Sequence, residues 1–506
     1  MKKVLSFLKK HQYIIYSILL SFNILFITSK NSFLYPLNDW VDANAFFTVG
    51  KGMMNGIIPY KDLFEQKGIL LYFIYGIGYL ISHKTFHGVF IIEVIFFSVF
   101  LYYVHKIIDL FLDKKYSYFI LPVLSLLITT SRSFTHGGAC EEFCLPFFAI
   151  TLYYFLNYFK GNTITKKGLY LNGFLAGCVL LIKYTLLGFW FGFMLFIFID
   201  YLKNKKIKKS ILSCIYFLLG MITPILISII YFISTNSLKE FIECYFTINM
   251  TAYNETSLPL MEKILNIYEG AIKSLVSNGL LIFFSIILLP LFVTKLKISK
   301  SGKYSLIGIS LITILGLFWG MHFYRYYMLP MFIFIIIALI GTFIYLKKYF
   351  DKINKFKYNY LLYIIVFLLI ITLSYFNANY KEMIGMNKKD MFQYRYAEYI
   401  SSFDNPTLLN MGYLDAGLYT TTGIIPNTRF FEVQNIPYSK FPNNLDDMKY
   451  NVQNKNITFI LYFTRENLEY VKEHDSYIFE NYSLVFEDSQ LFEEDTYNAY
   501  LFKVNN

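Results

Sequence analysis

The chain has 506 residues, of which 56% are hydrophobic and only 16% are charged, with a formal net charge of +12. A soluble chain carries about 25% charged residues, so this composition excludes an ordinary soluble globular protein. Apolar runs of near membrane-spanning length recur from residue 13 to residue 376. They predict a polytopic α-helical membrane protein.

Lysine clusters in the short loops indicate which side of the membrane each loop faces. Because cytoplasmic loops collect Lys and Arg, we expect the lysine-rich segments to be cytoplasmic and the mixed-charge segments to lie outside. The lysine-rich segments hold 23 lysines and two acidic residues: 1–11, 112–116, 160–167, 202–209, 295–303 and 347–357. The mixed-charge segments hold 10 basic and 11 acidic residues: 30–67, 83–88, 132–142, 235–274 and 321–325.

This sidedness requires that the apolar segment 68–82, "GILLYFIYGIGYLIS", does not cross the membrane. A helix of this length reaches about 22 Å, less than the roughly 30 Å of the hydrocarbon core. We therefore predict an interfacial or re-entrant helix within the first outer loop, residues 30–86. About eleven transmembrane helices remain, with a cytoplasmic N-terminus: 12–29, 87–111, 117–131, 143–159, 168–183, 184–201, 210–234, 275–294, 304–320, 326–346 and 358–376.

The first outer loop carries an aspartate at the start of a predicted helix. The stretch "VDANAFFTVGKGMMNG" has helical apolar spacing and ends at Gly56. Asp42 lies near the start of this helix, where the positive end of the helix dipole keeps a carboxylate ionised. An isolated aspartate at such a position is most often a helix cap. Asp42 becomes a catalytic candidate because the next outer loop is also acidic.

That second outer loop, 132–142, ends with the paired acids Glu141 and Glu142 in "SRSFTHGGACEEFCLP". Two carboxylates at the mouth of a membrane helix are unfavourable unless they are solvated, paired or used in function. The two glycines before them allow a tight turn and the close approach of a ligand. The alternative is a solvated helix start with its acids at the favourable end of the dipole.

Basic side chains near the predicted outer face complete the candidate site. Lys67 closes the first loop, and Lys183 lies in "LLIKYTLL" with no other charge near it in sequence. His322 and Arg325 belong to "GMHFYRYYMLP", at the outer end of another span. Arg binds phosphate through two parallel hydrogen bonds, and His adds a donor. Snorkelling of Lys183 and an aromatic belt around Arg325 are the alternative explanations.

Residues 377–506 differ from the rest, with 11 basic and 18 acidic residues and only short apolar runs. They predict a small extracytoplasmic α/β domain that follows a transmembrane domain of residues 1–376. The predicted strands are "PTLLNMGY", "TRFFEV", "ITFILYFT", "YSLVFED" and "NAYLFKV". The predicted helices are "DMFQYRYAEYISS", "NNLDDMKYNVQN" and "RENLEYVKEHDSYIFEN".

An outward-facing set of acids and cations suits the transfer of a group from a phosphate-linked lipid. A carboxylate deprotonates the incoming hydroxyl, and cations stabilise the phosphate as it leaves. Nucleotide sugars are absent outside the cell, so the donor would be borne by a lipid. The many spans would then hold a polyprenyl chain.

Four motifs resemble the GT-C glycosyltransferases, in particular the bacterial membrane enzymes grouped with protein O-mannosyltransferases and lipid A aminoarabinose transferases. The motifs are "DWVDANAFFTVGKGMMNGIIPYKDLFEQKGILLYF", "GGACEEFCLPF", "LLIKYTLLGF" and "HFYRYYMLP", and the likeness covers most of residues 12–346. The resemblance implies a polyprenyl-phosphate-sugar donor and an inverting transfer of a hexose or pentose. It also implies a first-loop catalytic aspartate, which maps to Asp42, with Asp39 as the rival.

The resemblance also implies roles for the other candidate residues. The second-loop acid maps onto Glu141 or Glu142. Many relatives have Asp directly after the first-loop aspartate, where this chain has Ala43. A divalent cation, if one is bound, would be held by Asp42, Glu141 or Glu142. The residues expected to bind the donor phosphate or the substrate are Lys67, Lys183, His322, Arg325, Tyr60 and Asp62.

The sequence thus predicts a multi-pass plasma-membrane glycosyltransferase whose partners are an undecaprenyl-phosphate-linked sugar, membrane lipid and an envelope acceptor, with no nucleic acid. The acceptor would be a teichoic acid, a polysaccharide, a glycolipid or a protein, and the C-terminal domain would gate or select it. One alternative is an envelope polysaccharide polymerase, which would make a long chain. Another is a lipid-linked sugar flippase or transporter, which would bury ionisable residues at mid-membrane depth. Here we expect the charged residues at helix ends.

Overall fold

The computed structural model describes residues 6–505, except residues 8, 254–257, 354–358 and 493–494. The lysine clusters predicted at 1–11 and 347–357 therefore lie partly outside the described residues. The chain forms two compact units. The first comprises Met1–Ser29, Ile92–Ser228 and Ser257–Lys381, and the second comprises Lys30–Ile91, Ile229–Thr256 and Glu382–Asn506. The predicted division at residue 376 stays a prediction.

Helices dominate the chain and follow its apolar runs. Among the described residues, five stretches are long and apolar enough to cross a membrane: His87–Asp109, Tyr184–Lys203, Ile207–Ser234, Arg325–Tyr349 and Tyr360–Asn377. The helices up to residue 377 are α1 (Gln12–Thr28), α2 (Val41–Met54), α3 (Ile69–Ile81), α4 (His87–Asp109), α5 (Ser117–Thr129), α6 (Cys140–Phe159), α7 (Lys166–Leu180), α8 (Gly188–Lys203), α9 (Ile207–Ser234), α10 (Leu238–Phe241), α11 (Leu260–Ser277), α12 (Leu280–Ile287), α13 (Leu289–Lys295), α14 (Lys300–Leu317), α15 (Ile335–Ile353) and α16 (Asn359–Asn377). A π-helix, Ile242–Tyr253, continues α10.

Glycines let helices of the first unit pack backbone to backbone. A Cβ atom on Gly173 of α7 would lie 1.8 Å from the carbonyl oxygen of Phe217 on α9. One on Gly188 of α8 would lie 2.8 Å from the carbonyl oxygen of Ile312 on α14. Membrane helices associate through such small residues because lipid gives no hydrophobic driving force between helices. These glycines therefore hold α7 against α9 and α8 against α14 in the first unit.

One apolar run is divided more finely than the sequence predicts. Residues 275–294, predicted as a single span, contain the end of α11, all of α12 and most of α13. Gly279 separates α11 from α12 with a φ of 94°, a conformation open to glycine. Pro290 lies in the first turn of α13, where its missing N–H is tolerated. The total of eleven spans stays a prediction.

Two short helices of the second unit, α2 and α3, pack against each other. The predicted helix at the start of the first outer loop is α2, and it is followed by Gly56 with a φ of 86°. The predicted interfacial helix is α3, and its depth in a membrane stays a prediction. A Cβ atom on Gly50 of α2 would lie 2.7 Å from both the amide nitrogen of Gly76 and the carbonyl oxygen of Tyr72 on α3. The two backbones are therefore in direct contact at Gly50.

The C-terminal segment folds as a mixed sheet with helices, as predicted. Its strands are β1 (Leu408–Met411), β2 (Phe459–Thr464), β3 (Tyr482–Phe492) and β4 (Asp495–Val504), and its helices are α17 (Phe392–Ile400), α18 (Leu418–Thr422), α19 (Asn443–Gln453), α20 (Leu468–His474) and α21 (Tyr477–Asn481). The strand order is β1-β2-β4-β3, and only β1 and β2 run parallel. Five of the six residues of the apolar strand β2 are buried, so β2 forms the core of the sheet.

The strand predicted at "TRFFEV" is wrong. The backbone of this stretch divides its hydrogen bonds between two partners, because the Phe431 carbonyl accepts from the Asn410 N–H and the Arg429 carbonyl accepts from the Phe64 N–H. No ladder to a single strand forms there. The helix predicted at residues 465–481 is interrupted at Asp475 into α20 and α21.

Candidate active site

In the first unit, the second outer loop enters α6 through a turn of two glycines. Gly137 and Gly138 have φ values of 88° and 82°, a region that favours glycine. Ala139, the N-cap of α6, offers no side-chain hydrogen bond, so the acids of the first turn supply the negative charge that a helix N-terminus favours. Glu141 is 0% exposed and Glu142 is 4% exposed. This burial rules out the alternative of a solvated helix start.

Glu141 forms a buried ion pair with Lys183. The Lys183 Nζ atom lies 2.5 Å from Glu141 Oε1, and it also lies 3.1 Å from the ring centroid of Tyr327. Among the described residues, no group donates a hydrogen bond to the other carboxylate oxygen, Glu141 Oε2. Lys183 is the N-cap residue of the 3₁₀-helix Tyr184–Leu187 and has extended backbone. Its side chain is only 8% exposed, so snorkelling does not describe it.

Glu142 lies beside Glu93, a residue that the sequence analysis did not identify. The Gly138 N–H donates to Glu142 Oε2 at 2.8 Å and to Glu93 Oε1 at 3.0 Å. The Ser29 hydroxyl also donates to Glu93, at 2.9 Å from Oε2. Glu93 is 1% exposed and belongs to α4. Its position within α4 corrects the expectation that charged residues lie at helix ends. The sequence does contain a signal for Glu93, because it is a lone acid within an apolar run. An acid of this kind in a membrane helix is a functional candidate by default.

Arg325 lies on an open cleft of the first unit, with a volume of about 440 Å³. It is the first residue of the 3₁₀-helix Arg325–Phe334, its side chain is exposed, and its carbonyl accepts a hydrogen bond from the Ser133 hydroxyl at 2.9 Å. Lys273 of α11 lines the same cleft, so two cations border it. His322 is partly exposed, and its ring centroid lies 6.0 Å from that of Tyr324.

In the second unit, the two rival aspartates have different surroundings. Asp39 is buried, forms an ion pair with the buried Lys30, and accepts a hydrogen bond from Gln490 Nε2 at 3.2 Å. Asp42 lies in the first turn of α2 and is partly exposed. The Asp39 carboxylate is therefore buried in an interior ion pair, and Asp42 is partly exposed at the start of α2.

Lys67 is held by contacts within its own loop. Its N–H donates to Glu65 Oε2 at 2.8 Å, and its carbonyl accepts from the Tyr60 hydroxyl at 2.6 Å. Tyr60 is fully buried, and this burial raises the pKa of its hydroxyl well above the ordinary value, so the hydroxyl stays a donor. Asp62 accepts from the Ile58 N–H at 2.8 Å and closes the preceding turn. The Lys67 side chain remains 20% exposed.

The polar side of α2 is held by the segment 415–424, which the sequence analysis did not connect with it. The Thr48 hydroxyl donates to Asp415 Oδ2 at 2.7 Å. The Lys51 ammonium donates to the carbonyl oxygens of Tyr419 at 2.7 Å and Ile424 at 2.5 Å. Burial lowers the pKa of Lys51 to about 7 and raises the pKa of Asp415 to about 6. These contacts fix the helix that carries Asp42.

The structure brings together some of the predicted site residues within each unit. It pairs Glu141 with Lys183 in the first unit and joins Tyr60 to Lys67 in the second. Among the described residues, no group of three or more His, Cys, Asp or Glu side chains lies close enough to hold a metal ion. The described residues therefore assemble no metal-binding cluster at the predicted acids.

The fold defines a class of membrane protein. It matches the crystal structure of ArnT from Cupriavidus metallidurans bound to undecaprenyl phosphate, with a TM-score of 0.56 and 9% sequence identity over 97% of each chain. The arabinofuranosyltransferase AftD from Mycobacteria matches with a TM-score of 0.46 and 10% identity, over 98% of this chain and 40% of that chain. The likeness to ArnT confirms the GT-C fold, with many membrane helices and a small C-terminal α/β part. At this identity it establishes the fold alone.

A family model also matches the sequence of the chain. The family model described as "Putative competence-induced protein Ccs4 N-terminal domain" matches residues 1–347, which is more than half of the chain. The chain belongs to this family. No curated protein sequence matches it significantly.

Proposed function

We propose that the chain is a membrane glycosyltransferase that moves a sugar from a polyprenyl-phosphate-linked donor to a cell-envelope acceptor on the outer face of the plasma membrane. The GT-C fold shared with ArnT, which was crystallised with undecaprenyl phosphate, supports a lipid-linked donor. The observation that carries the proposal is the position of Asp42, which lies in the first turn of α2 and is partly exposed, so a substrate can reach it.

Asp42 is the proposed general base. Its carboxylate accepts the proton of the acceptor hydroxyl while the hydroxyl oxygen attacks the anomeric carbon of the sugar. The bond between that carbon and the phosphate oxygen breaks, and polyprenyl phosphate leaves with the electron pair. A single displacement of this kind inverts the anomeric configuration. The N-terminal end of α2 favours the ionised carboxylate that this role needs.

Cations are proposed to stabilise the phosphate as it leaves. Lys67 and Arg325 have side chains with enough exposure to meet a ligand, and Arg325 presents the fork that suits phosphate. His322 would add a donor. Tyr60 and Asp62 are proposed to support substrate binding by shaping the loop that holds Lys67.

The two acids of the second outer loop are proposed to have different tasks. Glu141 forms an ion pair with Lys183. The pair would place the Lys183 ammonium, with its charge balanced by the Glu141 carboxylate, near the donor phosphate. Glu142 has a buried carboxylate oxygen, Oε1, with no hydrogen-bond partner among the described residues. A buried oxygen of this kind needs a hydrogen-bond donor, and a ligand hydroxyl is a donor that fits. Glu142 is therefore proposed to position the acceptor hydroxyl.

The test compares Asp42→Asn with Asp39→Asn in the purified full chain. Asp42→Asn is expected to lower the transfer rate by about 10² to 10⁴ and to leave undecaprenyl phosphate binding and the unfolding midpoint unchanged. Asp39→Asn is expected to lower the midpoint instead, because it removes one charge of a buried ion pair. Transfer retained by Asp42→Asn would remove that residue from the catalytic role.

The sugar and acceptor are identified by deleting the gene and analysing envelope glycans by mass. A missing sugar on one class of glycan names the donor sugar and the acceptor together. Unchanged glycans in the deletion strain would contradict an envelope acceptor. A shift in chain length, with the sugar composition preserved, would favour the polymerase instead.

A further inference from the structure

A buried carboxylate of α4 connects three chain segments of the first unit. Glu93 accepts hydrogen bonds from the Ser29 hydroxyl, at 3.0 Å and 2.9 Å from its two oxygens, and from the Gly138 N–H at 3.0 Å. Ser29 follows the end of α1, and Gly138 lies just before α6. A Cβ atom on Gly137 would lie 2.1 Å from Ser29 Oγ and 2.7 Å from Glu93 Oε1. Only a glycine fits between these groups, so the turn is packed directly onto the Glu93 carboxylate.

The same turn fixes the direction of Glu142. The Gly138 N–H is shared between the two carboxylates, with Glu142 Oε2 at 2.8 Å. Glu142 also shares a side-chain hydrogen bond with Glu93. Because Oε2 is held by the Gly138 N–H, the other oxygen takes a defined direction, and no donor among the described residues is assigned to Oε1. Glu142 is 4% exposed, so bulk water does not satisfy this oxygen. A buried acceptor in this state marks a place where a ligand donor fits.

We propose that Glu93 is a positioning residue of the glycosyl-transfer site, holding the Gly137–Gly138 turn so that Glu142 presents Oε1 to the acceptor hydroxyl. This inference rests on the proposed function. Glu93 touches no reacting atom and acts through the turn and through Glu142. Its role needs an acceptor for the Ser29 hydroxyl and the Gly138 N–H, which a glutamine side-chain oxygen supplies and a leucine does not.

The first arm of the test measures the turn directly, by amide hydrogen exchange of the segment 132–142 in the full chain in detergent. Glu93→Leu is expected to raise exchange at Gly138 on the order of ten- to a hundredfold, because it removes one of the two carboxylates that accept from the Gly138 N–H and the acceptor that ties the turn to Ser29. Glu93→Gln is expected to stay within a few-fold of the natural chain. Ser98→Ala is the matched control, because Ser98 is buried on the same helix and its hydroxyl donates to the Val94 carbonyl within that helix.

The second arm measures sugar transfer from an undecaprenyl-phosphate-linked donor. Glu93→Leu is expected to lower kcat at least tenfold while KM for the donor changes less than threefold, because the donor phosphate is held by other residues. Glu93→Gln is expected to restore most of kcat. If Glu93→Leu does not fold, Ser29→Ala replaces it, and a few-fold rise in exchange at Gly138 with a matching fall in kcat is then expected.

The outcomes separate the inference from the proposed function. The inference is overturned if Glu93→Leu leaves the exchange at Gly138 unchanged. It is also overturned if Glu93→Leu raises that exchange but does not lower kcat. A loss of kcat that Glu93→Gln does not restore would also overturn it, because the acceptor role would then not be what matters. If the natural chain transfers no sugar from any lipid-linked donor, the proposed function fails and the positioning role fails with it. The exchange arm then still decides whether Glu93 holds the turn.

Discussion

The Glu141–Lys183 ion pair allows a quantitative test of the first unit. The two side chains are 0% and 8% exposed, and the ammonium lies 2.5 Å from the carboxylate and 3.1 Å from the Tyr327 ring centroid. Lys183→Met keeps most of the volume and removes the charge, which leaves Glu141 ionised and unpaired in the interior. Breaking one partner of a buried pair destabilises a protein by about 3 to 5 kcal/mol. This corresponds to a change of about 10² to 10³ or more in the unfolding equilibrium constant.

The assay is equilibrium unfolding in detergent micelles of the single variants Lys183→Met and Glu141→Gln and of the double variant. We expect the double variant to be more stable than the sum of the two single losses predicts, by about 2 kcal/mol, because it leaves no unpaired charge. Lys273→Met is the matched control, since Lys273 and Glu269 form an exposed pair at 2.6 Å, with 74% and 63% of the side chains exposed. This control is expected to leave the unfolding midpoint unchanged.

The outcome that refutes the reasoning is equally definite. If Lys183→Met shifts the midpoint as little as Lys273→Met does, the pair contributes nothing and Glu141 is not held as described. If the single losses add without any coupling, the two residues do not interact. Either result would also weaken the proposal that the pair places a compensated charge near the donor phosphate.

Two further predictions concern the second unit. Gly50→Ala is expected to destabilise the second unit by about 2 kcal/mol or more, because the new methyl group would meet the Gly76 backbone at 2.7 Å. Gly56→Ala, which has no atom within 4 Å but a φ of 86°, should lose only about 1 kcal/mol in the same unfolding assay. Equal losses in the two variants would contradict the close contact between α2 and α3. Lys51 binds its proton less tightly when folded, with a pKa of about 7 against the ordinary 10.5, so its contribution to stability rises as pH increases from about 7 to 10.5. Asp415 has the opposite sign, with a pKa of about 6 against 3.8, so its contribution is lost as pH rises from about 4 to 6. Amide exchange of α2 between pH 5 and 9, corrected for intrinsic rates, should therefore show slower opening above pH 7. Lys51→Met should abolish this gain in the stability of α2. A gain that persists in the variant would contradict the lowered pKa of Lys51 as its cause.

Elements with a strong local pattern were predicted well from sequence. The helical apolar spacing after Asp42 and the stop at Gly56 correspond to α2, and the short run before residue 82 corresponds to α3. Four of the five predicted C-terminal strands form, because their apolar runs pair within one sheet. "TRFFEV" has the same local composition but divides its backbone hydrogen bonds between Asn410 and Phe64. Propensity alone does not reveal that competition.

The candidate site was predictable where charge stands out against an apolar background. Glu141, Glu142 and Lys183 were identified on this ground, and the structure pairs Lys183 with Glu141. The choice between Asp39 and Asp42 was open in the sequence, because both acids lie in the same short stretch. The folded chain buries Asp39 against Lys30 and leaves Asp42 partly exposed, and the choice of the base stays a proposal.

The amino-acid sequence by itself determined the class of the protein, because burial in lipid demands long apolar helices and leaves charge at few places along the chain. It also determined which loops are acidic and which residues are candidates for chemistry. Tertiary structure alone decided the partners of those residues. Glu93 lies 45 positions from Gly138, and Asp415 lies 367 positions from Thr48. Contacts at such separations depend on how helices and strands pack in space, and no local pattern of residues records that.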